Sequence, residues 1–151
     1  MTAGYSKRPL AQKLGLKPGM RCWWHNMPQT VSDEIAAGVD DLVLLPALET
    51  GINAAHIFVP GQSELSELLS KLRRTLDADG MIWVSWPKKA SKVSSEVTED
   101  TVREVCLPMG LVDIKVCAVD AVWAGLKLVI RKELREEHIQ IQLAANEIAE
   151  S

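Results

Sequence analysis

The residues of this chain that can do chemistry are few and scattered. Its 151 residues hold three histidines (His25, His56, His138) and three cysteines (Cys22, Cys106, Cys117). A zinc site needs His or Cys pairs at short fixed spacings. No HxxE or CxxC pair occurs, so no metal site is expected. Cys22 and His25 are three apart, a spacing that turns them to opposite faces of a strand. A thiolate activated by that imidazole is therefore not expected. His56 stands inside the apolar run AAHIFV and reads as a hydrogen-bonded core residue. There is no nucleophile elbow and no P-loop.

One stretch is different. Ser85-Trp86-Pro87-Lys88-Lys89-Ala90-Ser91-Lys92 puts three ammonium groups beside serine hydroxyls and an indole. Such a loop can hold an anionic group by charge-assisted hydrogen bonds and stacking. The plainer alternative is that the lysines are solvated and Trp86 covers the edge of a sheet. Asp120, in Asp120-Ala121-Val122-Trp123-Ala124-Gly125, can line the same cleft. An aspartate is equally what turn chemistry demands there, and that reading is preferred.

Composition narrows the class. Hydrophobic residues make up 47% and charged residues 25%, as in ordinary globular domains. The formal charge of −3 gives no electrostatic reason to expect nucleic acid or an anionic membrane as partner. Cys22 and Cys117 sit in apolar runs, where a free thiol packs as a small core residue. A reducing compartment fits, and the cytoplasm is the default. The opening MTAGYSKRPL has no apolar h-region, so no signal peptide is expected. No apolar run approaches the roughly 20 residues that span a bilayer. Five tryptophans against one tyrosine and one phenylalanine point to large rings packed in a core, with an aromatic-lined pocket as the alternative.

These residues must be positioned by elements readable from pattern. A short helix is expected in SKRPLAQKLGL, stopped by Gly15. A strand follows at Met20 to His25, with Trp23 and Trp24 on opposite faces. A helix runs from Thr30 to Ala37, ending at Gly38. Leu42 to Leu45 and Ala54 to Val59 are continuous apolar runs, as suits strands covered on both faces. Leu65, Leu68, Leu69, Leu72 and Leu76 form one helical stripe, with Ser63 as its cap. Asp79-Gly80 then turns the chain into the strand MIWVSW. Thr98 caps a further helix, with Val97 and Val102 at staple positions, and Pro108 and Gly110 stop it. Leu111 to Asp120 and Trp123 to Arg131 are joined too tightly for a parallel crossover and should form an antiparallel hairpin. Alternation in DIKVC suggests that one face of the first hairpin strand is more exposed. In the tail, Leu134, Ile141 and Ile148 recur every seven residues around His138 and Ala145. That fits a helix packed on the body or on a second subunit.

The expected architecture is α/β: an open, mostly parallel Rossmann-like sheet flanked by helices, ending in an antiparallel β-hairpin and a C-terminal helix. One domain covers residues 1–132, and 133–151 form a helical tail. From Ala54 to Lys132 the order resembles the second half of a class I methyltransferase fold. There a helix ends in a leucine-x-proline-glycine-glycine turn, here Leu76-Asp77-Ala78-Asp79-Gly80. The stretches GYSKRPLAQKLGLKPGM, MIWVSWPKKAS and GLVDIKVCAVDAVWAGLKLVIRK resemble a family of small uncharacterised bacterial proteins. That resemblance implies a recurring domain and no particular activity.

The methyltransferase likeness implies S-adenosylmethionine, held by a glycine-rich turn after the first strand. Here that turn is His25-Asn26-Met27-Pro28-Gln29-Thr30, with no glycine. A ribose-binding carboxylate should close the second strand, but Glu49 lies four residues past Leu45, across a proline. The first half is also short by one strand-helix unit. The expectation is a non-catalytic domain, without a cofactor, that binds a partner protein or a small anionic ligand. Trp86, Lys88, Lys89 and Ser91 would form the contact, with His25, Asn26 and Asp120 near it. An S-adenosylmethionine-dependent methyltransferase with an atypical cofactor loop is the first alternative, and a structural homo-oligomer built through hairpin and tail is the second.

Overall fold

A computed structural model describes residues 8–150, without the side chains of the last two. Ser6 and Lys7, at the start of the expected first helix, lie outside the described residues. The elements run α1 (Leu10–Lys13), β1 (Arg21–His25), α2 (Gln29–Gly38), β2 (Val43–Leu44), β3 (Ile52–Phe58), α3 (Gln62–Thr75), β4 (Leu76–Pro87), α4 (Glu99–Cys106), β5 (Leu111–Ala118), β6 (Trp123–Ile130) and α5 (Arg135–Glu150). They build one six-stranded sheet in the order β2-β1-β3-β4-β6-β5. Strands β2, β1, β3 and β4 are parallel, and β6 runs antiparallel to both β4 and β5. The order reverses between β1 and β3, which makes the carboxyl ends of those two strands a topological switch point.

Each face of the sheet has its own core. On one side, the α3 leucines Leu65, Leu68, Leu69 and Leu72 and the α4 residues Val102 and Cys106 pack on Ile57, Ile82 and Leu126. On the other, Leu10 of α1, Leu14 at its C-cap, and Val31 and Ile35 of α2 pack on Cys22, Phe58 and Trp83. Burying a leucine contributes about 2 kcal/mol, so the α3 stripe alone accounts for a large hydrophobic term. Trp23 joins the first core and Trp24 the second, as neighbours on a strand must. Trp83 is fully buried and its Nε1 donates to the Leu14 carbonyl at 2.9 Å, tying the end of α1 to the sheet.

Helix α4 begins as its sequence indicates. The Thr98 hydroxyl accepts from the Thr101 amide, the Thr101 hydroxyl reciprocates, and Val97 and Val102 are buried together. Several other expectations need correction. Ser63 does not cap α3; Gly61 occupies the N-cap, without a side-chain cap bond. Leu76 continues the leucine spacing but begins β4, because it pairs with Ile52. Asp79-Gly80 is no turn. Ile52 pairs with Leu76 and Ala54 with Met81, so Asp77 to Gly80 stand opposite Asn53 alone as a large bulge. Asn53 Nδ2 donates to Asp77 Oδ2 at 2.8 Å and holds it. Glycine is needed there, since a β-carbon on Gly80 would lie 2.8 Å from Leu76 Cδ1 and 3.0 Å from the Ile52 carbonyl oxygen.

The run Leu42 to Leu45 is not covered on both faces. Strand β2 is two residues long, at the sheet edge, with Val43 and Leu44 exposed. In β5 the simple alternation of DIKVC is broken by a bulge between Asp113 and Lys115, which leaves Ile114 and Val116 exposed while Cys117 is buried. Helix α5 is pinned near its start: His138 Nε2 lies 2.6 Å from the Leu76 carbonyl oxygen, and the Arg73 guanidinium 3.1 Å from His138 Nδ1. No helix among the described residues is long and apolar enough to cross a membrane.

Candidate functional site

Two groups of residues meet at the carboxyl end of the parallel strands. The first surrounds the end of β1. Here Asn26 has φ of +54°, in the left-handed region that favours glycine and that asparagine also tolerates. His25 stacks on Trp23 with ring centroids 5.7 Å apart, and its Nε2 lies 3.2 Å from both Glu64 Oε1 and Asn26 Nδ2. With Nε2 protonated it donates to Glu64; without that proton it accepts from Asn26.

A nucleotide-bearing cofactor would have to sit at this switch point. The chain provides the left-handed residue but no glycine, so side chains stand where bare backbone would approach the cofactor. The second requirement fails more plainly. After β2, whose last bond runs from the Leu45 amide to the Cys22 carbonyl at 2.8 Å, the chain returns to the other end of the sheet. There Glu49 pairs with Arg21 at 3.1 Å, at the start of β1. Leu45 and Leu48, like Trp23, pack against the first core. Among the described residues, the turn after β1 holds no glycine and Glu49 is engaged with Arg21 at the far end of the sheet.

The second group is built on β4 and the hairpin. Strand β6 starts opposite Pro87, so the turn between β5 and β6 lies beside the segment leaving β4. Lys88 spans the two: its amide donates to the Val122 carbonyl and its ammonium to the Asp120 carbonyl, at 2.8 and 2.7 Å. The Asp120 carboxylate accepts from the amides of Val122 and Trp123, both at 2.8 Å, which is the turn role. Lys13 of α1 arrives from the far side of the chain and donates to the Ala118 carbonyl at 2.8 Å. Two ammonium groups therefore hold carbonyls two residues apart, each with donors to spare.

The thiol of Cys117 senses the cluster. Burial pushes its pKa up, while the charges of Lys13, Lys115, Lys88 and Arg8, in decreasing order, pull it down. Among the described residues Lys13, Lys88 and Lys115 enter no ion pair. The arrangement can hold an anion.

Of the residues singled out in the sequence, Lys88 and Asp120 are brought together, with Ser91 donating to the Lys88 carbonyl at 2.6 Å. Lys89 is exposed in a one-turn 3₁₀ segment, Lys89–Ser91, and Lys92 follows with φ of +63°. Trp86 is buried in the core beneath α3 and α4, so its face is not open for stacking. His25 and Asn26 lie at the end of β1 and share no bond with the lysines. Lys13 was missed by sequence reasoning. No spacing rule connects it to residue 118.

Beneath these groups lies His56, fully buried and stacked on Phe58 at 4.4 Å, with Nε2 2.7 Å from Ser85 Oγ. Its Nδ1 has no partner among the described residues. Three open cavities, of about 670, 520 and 390 Å³, lie at the opposite, amino end of the parallel strands. They are lined respectively around Pro9, Lys17 and Asp41; around Arg73, Met109 and Ile141; and around Met20, Asn53 and Gly80.

Residues 11–132 match the family described as "Protein of unknown function (DUF3052)". No curated protein matches the chain. Among solved structures, the chain resembles a precorrin-6y C5,15-methyltransferase from Geobacter metallireducens GS-15 at 12% identity and a TM-score of 0.56, over 80% of this chain and 85% of that one. It resembles an S-adenosylmethionine-dependent methyltransferase from Aquifex aeolicus at 14% identity and TM-score 0.56, over 80% and 88%. A third is fibrillarin from Aeropyrum pernix with natively bound S-adenosyl-L-methionine, at 14% identity and TM-score 0.51, over 80% and 73%. At these identities the likeness is one of fold: mixed α/β, Rossmann-like, of the class I methyltransferase kind.

Proposed function

The chain belongs to that family, DUF3052, and on this premise we propose that it is a non-catalytic, methyltransferase-like domain that binds a small anionic ligand beside the β5–β6 turn. The observation that carries the reading is the meeting of Lys13 and Lys88 on the Ala118 and Asp120 carbonyls, with Lys115 and Arg8 adding to the local field. Each ammonium is fixed in place by one carbonyl and keeps N–H donors for a ligand. Lys88 comes from the loop singled out in the sequence; Lys13 replaces Lys89 as its partner.

The test is isothermal titration with inorganic pyrophosphate, at low and moderate salt, of the wild-type chain and of Lys13→Ala plus Lys88→Ala. Binding that the double variant loses, and that Lys89→Ala keeps, supports the site. Equal binding in all three proteins removes it.

A second reading, S-adenosylmethionine binding at the end of β1, is favoured by one observation, the left-handed Asn26 in the place of a turn glycine. The fold it shares with fibrillarin, which carries that cofactor, lends it support. Against it stand the side chains in the turn and the engagement of Glu49 with Arg21. Titration with S-adenosylmethionine, beside mass spectrometry of the freshly purified protein for bound ligand, decides it. Micromolar binding at one site that Asn26→Val abolishes would put this reading first.

A further inference from the structure

The turn that Lys13 and Lys88 grip leads into Trp123, whose amide donates to the Asp120 carboxylate at 2.8 Å. The Trp123 side chain packs on the α1–α2 face of the sheet, the face from which Lys13 arrives. It is half-buried, and Phe58 meets it edge to face with ring centroids 5.0 Å apart. Such a contact fixes the indole and leaves it at least one face that Phe58 does not cover. Trp83, fully buried on the same side, donates its Nε1–H to the Leu14 carbonyl, as buried indoles do. Trp123 differs: its Nε1 is accessible and makes no hydrogen bond among the described residues. One turn thus joins two half-buried ammonium groups, each held by a carbonyl, to a fixed indole with an unused donor.

Given the lysine pair as the anion site, on which this step rests, we infer that its ligand is a phosphate monoester of an aromatic ring. The phosphate lies on Lys13 and Lys88 and the ring against Trp123. A phosphate monoester carries close to two negative charges at neutral pH, which matches two ammonium groups and their charge-assisted hydrogen bonds. A planar ring gains from stacking on an indole what an aliphatic group of equal volume does not. A polar substituent at the edge of the indole can accept from Nε1. A bare inorganic anion would use the lysines and leave the indole idle.

Isothermal titration of the full chain tests this with phenyl phosphate, with cyclohexyl phosphate, which has a similar volume and no π face, and with inorganic pyrophosphate. Phenyl phosphate should bind about tenfold more tightly than cyclohexyl phosphate. Trp123→Leu, with circular dichroism as the check on folding, should remove that preference and leave the pyrophosphate affinity unchanged. Lys13→Ala plus Lys88→Ala should lose all three ligands. Equal affinity for the two esters in the wild-type chain overturns the aromatic ligand, even where Trp123→Leu does not fold. So does a preference that folded Trp123→Leu retains. If pyrophosphate binds through the lysines while the esters do not differ, the anion site stands and only the ligand class is wrong. If none of the three binds, both fall.

Discussion

His56 should make the fold sensitive to mild acid. It is fully buried between the sheet and the α1–α2 layer, and burial pushes its pKa down from 6.5 to about 3. In the folded chain the ring is neutral, while in the unfolded chain it takes up a proton near its ordinary value. A pKa depressed by folding contributes stability that is complete above pH 6.5 and is lost as the pH falls from 6.5 toward 3. Over that window the loss approaches roughly 1.4 kcal/mol per pH unit, so that about 2 kcal/mol is gone at pH 5. That is a substantial part of the roughly 5–15 kcal/mol by which domains are stable. Urea unfolding at pH 7.5, 6 and 5 measures it directly. His56→Phe is the control: the ring can still stack on Phe58, and the Ser85 hydroxyl loses its partner at a cost of about 1 kcal/mol near neutral pH. The variant should start less stable and show a flatter pH dependence above pH 5. His25 and His138 are present in both proteins, so their contributions cancel in the comparison. Equal pH dependence of the two proteins would refute the reasoning, because the buried imidazole would then not be what resists protonation.

Two further outcomes follow from named contacts. Trp83→Phe removes the 2.9 Å bond to the Leu14 carbonyl and leaves that buried oxygen unpaired, so urea unfolding should show a loss of about 2–3 kcal/mol. Hydrogen exchange should quicken first in α1. Thr98→Ala removes the capping box of α4 and should cost about 1 kcal/mol, with Thr98→Ser retaining most of it.

What could be read from the sequence was what is decided locally. The α3 leucine stripe, the Thr98 cap with its Val97–Val102 staple and the antiparallel hairpin each depend on residues within a few positions of one another. The misreadings arose where a partner strand decides. Leu76 keeps the helical spacing, yet pairing with Ile52 takes it into β4, and the Asp77–Gly80 bulge exists only in relation to Asn53. Strand β2 looks like a buried run, but its position at the edge leaves it exposed. The candidate site divides in the same way. Lys88 was visible because its loop is dense in lysine, whereas Lys13 meets Ala118 across 105 positions of chain. Trp86 was visible as an indole in a loop, but the pleat of β4 turns it into the core.

A turn without glycine after β1 does not endanger the fold. The two cores are assembled from the inward faces of α1 to α4 against β1, β3, β4, β5 and β6; of the turn, Met27 packs on the second core and Asn26 is exposed. An exposed turn at a strand end is constrained by what it binds more than by what it packs against. A chain with this architecture can therefore change the turn while keeping the sheet, and Asn26 retains the left-handed backbone that the geometry of the exit from β1 requires. The lysine cluster sits at the other half of the same carboxyl edge, on the hairpin turn beside β4. The α5 groove opens at the amino edge, beyond the start of β4. Placed at opposite ends of the sheet with no shared residue, the two should respond independently, and Lys13→Ala plus Lys88→Ala should leave the packing of α5 unchanged.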